Sequence, residues 1–134
     1  MTPIENTIER LLRLEPGLRL AALFGSASRG ELRPGSDLDV GVLGSCPRRL
    51  SALETALGRA TGRRTDIVAL ETAPPLLRFE IARDARLLFE RVPHEWSDFR
   101  ARAMVDWWDW APTARLFHRA AAARLRGQVG DGAS

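Results

Sequence analysis

Two short stretches constrain this chain more than any others. An apolar run, Leu18 to Phe24, has the length and composition of a buried strand and stops at Gly25-Ser26. After ten intervening residues, Asp37-Leu38-Asp39 opens a second apolar run through Val40-Gly41-Val42-Leu43. Side chains alternate along a strand, so Asp37 and Asp39 project from one face with Cα atoms about 6–7 Å apart. Carboxylates that close repel each other, and an apolar core has no use for them. A divalent cation removes the conflict, because Mg²⁺ takes carboxylate and phosphate oxygens together. The glycine-serine turn offers what a phosphate needs: close backbone approach at Gly25, outward N–H groups at a helix start, and the Ser26 hydroxyl. The two stretches together predict a site for the phosphates of a nucleotide and their metal.

These residues resemble the nucleotidyltransferase superfamily that includes DNA polymerase beta. Its signature is Gly-Ser, about ten residues, then Asp-x-Asp on a strand, with a third carboxylate on a later strand. Gly25-Ser26 and Asp37-Leu38-Asp39 match the first two parts, and Asp66, at the head of Thr65-Asp66-Ile67-Val68-Ala69-Leu70, is the candidate for the third. The resemblance spans Leu18 to Arg91. It is strongest to the minimal, single-domain branch, the MNT-domain proteins, many of which are encoded beside HEPN-domain toxins and act as their antitoxins. It implies a polymerase beta-like α/β fold with a mixed sheet of about four strands. It also implies catalytic and metal-binding roles for Asp37, Asp39 and Asp66, nucleotide contacts at Gly25 and Ser26, and Mg²⁺ or Mn²⁺ with ATP as substrate. Arg29, near the phosphate end, is a candidate nucleotide or partner contact. Two metals about 3.5–4 Å apart would clamp the attacking and leaving oxygens. The expected reaction is transfer of AMP from ATP to a tyrosine hydroxyl of a HEPN RNase toxin. A non-catalytic antitoxin that binds its toxin, and a stand-alone enzyme modifying a small molecule such as an aminoglycoside, are the alternatives.

Composition narrows the partners. All 20 basic residues are arginine, set against 17 acids, and no block of like charges stands out. Direct nucleic-acid binding is therefore not expected, whereas protein interfaces and nucleotide phosphates both suit arginine. There is no tyrosine, so any tyrosine-directed modification acts on another protein. No apolar run approaches a membrane span, the N-terminus lacks a signal-peptide layout, and the lone Cys46 excludes an internal disulfide; a cytoplasmic location is expected. An oligomer within a toxin complex is compatible with all of this.

The remaining pattern predicts one domain over residues 1–126, with an α/β core over 1–92, a helical segment over 93–126 and a disordered tail over 127–134. Thr2-x-x-Glu5 reads as a capping box for a helix over 2–14, with Pro3 at its first position. Helices are expected over 26–32, 48–61 and 76–83, with strands at 66–70 and 86–90. Gly62 is the expected C-cap of the 48–61 helix. From Glu95 the apolar residues Trp96, Phe99, Ala103, Trp107 and Trp110 recur at helical spacing, with Met104 and Trp108 on a second line that suits either core or partner contact. Pro112 is expected to break or kink this helix before a last one over 113–126. His94 and His118 read as surface or cap residues, and Glu54 and Glu71 as plain surface charges. Glu80 could face the site, although nothing in the sequence requires it.

Overall fold

The computed structural model describes residues 2–25, 35–44 and 47–133. The expected turns over 26–32, together with Ser26, Arg29 and Cys46, lie outside the described residues. The element order is α1 (Pro3–Arg13), β1 (Leu20–Phe24), β2 (Leu38–Leu43), α2 (Pro47–Thr61), β3 (Thr65–Ala69), α3 (Pro75–Asp84), β4 (Arg86–Glu90) and α4 (Glu95–Ala133). The strands form one sheet in the order β3-β2-β1-β4. β1 is antiparallel to both β2 and β4, and β2 is parallel to β3. The sheet is thus mixed, as expected. Its parallel pair needs a crossover, which α2 supplies.

Alternation along the strands divides the core in two. Leu38, Val40 and Val42 of β2 join Ala21, Leu23 and Ile67 beneath α1 and α2, where they meet Ile8, Leu12, Leu53 and Leu57. The opposite face carries Leu20, Leu43 and Leu70 against Ile81 and Ala82 of α3 and Phe99 and Ala103 of α4. Asp39, one residue out of step with Leu38 and Val40, belongs to this second face.

The capping box forms as the sequence predicts: Glu5 N–H donates to Thr2 Oγ1 (3.2 Å) and Thr2 N–H to Glu5 Oε2 (2.9 Å). Gly62 ends α2 with φ +69° and an N–H bond to the Gly58 carbonyl. His94 precedes α4 and its carbonyl accepts from Asp98 N–H (2.9 Å), a cap position as expected. Glu54 and Glu71 are more than surface charges. Glu54 accepts from Ile67 N–H on the edge strand β3 (2.9 Å), and Glu71 from Gly44 N–H just past β2 (2.9 Å). Each serves a backbone donor that the sheet ladder leaves over.

The C-terminal segment differs from the sequence expectation. α4 is one helix that passes through Pro112 and continues to Ala133, so no separate helix starts at Thr113. A proline removes one intrahelical bond, to the carbonyl four residues earlier. That carbonyl belongs to Trp108, on a side of the helix where Trp108 is 67% exposed, so water can satisfy it. The two apolar lines of α4 also separate. Phe99 and Ala103 are buried, Trp96 stacks on Phe99, and Trp107 stacks on Phe79 of α3. At the end of the same line Trp110 lies against Trp107 (ring centroids 5.5 Å) with its outer side exposed, whereas Trp108 of the second line faces outward. No described helix is long and apolar enough to cross a membrane.

Candidate active site

The parallel pairing of β2 and β3 sets Asp39 in register with Asp66, and the antiparallel pairing of β1 and β2 sets Phe24 in register with Asp39. Residues in register share a face, so Asp39, Asp66 and the end of β1 meet on the α3/α4 side of the sheet. Gly25 follows directly. Its φ is +71°, a conformation that L side chains seldom adopt, and a Cβ there would lie 2.5 Å from Asp39 Oδ2. Glycine at this position keeps the space over the carboxylate clear.

Asp37 lies just before β2, one alternation from Asp39. Its turn is tied to the start of β3: Arg63 donates to the Ser36 carbonyl (3.2 Å) and Leu38 N–H to the Arg64 carbonyl (2.9 Å). Arg63 therefore positions the first aspartate, a role that adjacency to Arg64 in the sequence did not reveal. Arg64 approaches Asp66 at 3.9 Å, and both side chains are open to solvent. Such a pair is weak.

The electrostatics converge on Asp39. Partial burial raises its pKa above the ordinary 3.8, and the neighbouring charges of Asp66 and then Asp37 raise it further. Asp66 and Asp37 are thus both close enough to oppose the ionisation of Asp39. Among the described residues, no group of three or more acidic, histidine or cysteine side chains is placed to hold a metal ion as it stands. The donor set nonetheless suits a hard cation such as Mg²⁺: three carboxylates from adjoining strands, repelling one another, with the Gly25 backbone leaving room above them. Ser26 and Arg29 lie outside the described residues.

Two cavities open on this face. One, of about 360 Å³, is lined by Phe24, Gly25, Leu77, Glu80, Arg83 and Asp84 and so adjoins the carboxylates through Gly25. Glu80 does face the site region. The larger, of about 540 Å³, is lined by Arg19, Leu43, Arg78 and Glu95 among others and lies at the far end of the strands. Asp39 and Leu43 are about 13 Å apart along β2, at roughly 3.3 Å per residue. The smaller cavity is therefore the one that belongs with the aspartates.

The chain as a whole is similar to known proteins. The chain is 28% identical over 109 residues to the protein adenylyltransferase MntA of Aphanizomenon flos-aquae, covering 72% of this chain and 73% of that one. It is similar to a chain in the crystal structure of a toxin–antitoxin with AMP-PNP, with a TM-score of 0.77, 26% identity, and coverage of 87% of this chain and 97% of that one. A chain of the complex between a tri-AMPylated Shewanella oneidensis HEPN toxin and its MNT antitoxin matches with a TM-score of 0.72 at 24% identity, covering 87% and 95%; at that identity the likeness is one of fold. Residues 6–94, which contain the sheet and all three aspartates, match the family described as polymerase beta, nucleotidyltransferase, and this chain belongs to that family.

Proposed function

We propose that this protein is an antitoxin that transfers AMP from ATP to a tyrosine hydroxyl of a partner HEPN RNase toxin. The observation that carries the reading is the meeting of Asp39, Asp66 and Gly25: an acidic pair in register, with the glycine backbone close against it. The similarity to a protein adenylyltransferase, and to a toxin–antitoxin chain crystallised with AMP-PNP, supports protein as the acceptor and ATP as the donor. The absence of tyrosine from this chain directs the chemistry to a partner.

In this mechanism Asp37, Asp39 and Asp66 hold Mg²⁺ or Mn²⁺, which when bound supplies positive charge against the triphosphate. Gly25 and Ser26 seat the terminal phosphates through their N–H groups. The tyrosine oxygen attacks the α-phosphorus and forms a P–O bond; the bond to the β-phosphate oxygen breaks and pyrophosphate leaves. Asp66, on the more open flank of the pair, accepts the hydroxyl proton. Incubation with a HEPN toxin partner, ATP and Mg²⁺ tests the reading by mass spectrometry. One or more AMP adducts on the partner are expected, and none with Asp39→Asn. An unmodified partner in the wild-type reaction removes the reading.

A further inference from the structure

We propose that the cleft between the end of β1 and α3 receives the nucleoside half of the nucleotide, and that Glu80 selects a ribonucleotide by accepting hydrogen bonds from the sugar hydroxyls. This rests on the reading that the aspartates and Gly25 take a nucleoside triphosphate. The cleft's volume, about 360 Å³, falls within the range of roughly 300–1,000 Å³ for small-molecule sites. Its lining includes Gly25, the residue against which the Asp39 carboxylate lies, so the cleft and the carboxylates are contiguous.

The strand order decides which way a nucleotide runs. β1 lies between β2 and β4, so β2 and β3 put the aspartates on one side of Gly25, while the C-terminal end of α3, which lines the cleft, runs into β4 where Arg86 pairs with Leu23 on the other side. On the aspartate side, the Asp66 side chain is 48% exposed, which leaves that flank to the acceptor. A nucleotide with its phosphates at Gly25 then extends its sugar and base along α3.

The lining chemistry agrees. Phe24 and Leu77, both half-buried, offer an apolar wall to a flat base. Leu77, Glu80 and Asp84 recur at intervals of three and four, placing them on one side of α3. Arg83 is engaged by Asp84 through two hydrogen bonds of 3.0 and 2.8 Å, which partly offsets its charge at the rim. An ionised glutamate only accepts. It repels phosphates and suits groups that donate, and its two oxygens match the paired hydroxyls of a ribose.

Binding to the full chain with Mg²⁺, without any acceptor, tests this by calorimetric titration of ATP, 2′-deoxy-ATP and 3′-deoxy-ATP. The wild type is expected to favour ATP by about tenfold or more, the loss expected from one hydrogen bond to a charged group. Glu80→Ala should weaken ATP more than about tenfold, since both hydroxyl contacts are lost, and erase the preference. Leu77→Trp, which fills the cleft, should weaken all three nucleotides. A preference unchanged in Glu80→Ala, or a wild type that binds the three equally, overturns the inference while leaving the phosphate site standing. A wild type that binds no nucleotide overturns the proposed function itself.

Discussion

Asp39 and Asp66 stand side by side across the parallel β2–β3 ladder. Neighbouring strands lie only about 4.8 Å apart, so the fold forces together two charges that the unfolded chain keeps apart. Partial burial adds to the repulsion, and together they lift the Asp39 pKa. The site thus opposes folding locally, as sites arranged for a ligand's charge often do.

The sign of that opposition is testable. In the folded state Asp39 ionises above its ordinary 3.8, so below that value it is protonated in both states and imposes no penalty. As pH rises through the window from 3.8 to the raised value, stability is lost, and above it the loss is constant. Asp39→Asn should therefore raise the melting temperature of the metal-free protein at neutral pH, with the gain vanishing in acid. Melting curves across pH in EDTA check this. Equal melting temperatures at pH 7 would contradict the burial and repulsion described here.

Gly25→Ala tests the open backbone. The new methyl meets Asp39 Oδ2 in a left-handed conformation, at a cost of about 1–2 kcal/mol in stability. AMP transfer should fall by at least about tenfold as the carboxylate is displaced, since a shift of about 1 Å near the chemistry can cost a hundredfold. Denaturant titration and initial rates read the two effects separately. Full activity in this variant would show that the glycine is not needed beside Asp39.

Glu5 joins α1 to the sheet. It is 4% exposed, caps its own helix and pairs with Arg86 of β4. Glu5→Ala should destabilise by about 2 kcal/mol, combining a lost cap with a lost ion pair whose arginine remains half in water. Urea unfolding measures it, and transfer activity at a temperature well below the midpoint should be unchanged.

α4 predicts a contrast between two aromatic residues. Phe99 is 7% exposed and Trp108 67%. Phe99→Ala should cost about 3–5 kcal/mol through a cavity between α4 and the sheet. Trp108→Ala should stay within about 0.5 kcal/mol, as substitutions at exposed positions do. Thermal unfolding of both variants decides it; a large loss from Trp108→Ala would mean that its ring is packed rather than open.

Much of this was legible in the chain itself. Thr2-x-x-Glu5, Gly62 and the period-two pattern around Asp37-x-Asp39 are local signals, and each produced the expected local structure. Of the two outcomes expected at Pro112, a break does not occur, because helix termination depends on whether the orphaned carbonyl finds water, which a residue type does not disclose. Glu54 and Glu71 looked like ordinary surface charges because their partners, Ile67 and Gly44, lie far away along the sequence.

The sequence by itself determined that Asp37 and Asp39 come together at the start of one strand and that a glycine turn ends the strand before them, because alternation and backbone freedom act within a few residues. Only the tertiary structure decided that Asp66 stands beside Asp39 rather than elsewhere along the sheet edge. That register is set by how α2 packs over the sheet while carrying the chain from β2 to β3, and by the Arg63 and Leu38 bonds that lock the two strand starts together. The same holds for Glu80, which lines one cavity with Gly25 because α3 runs into β4 beside the end of β1.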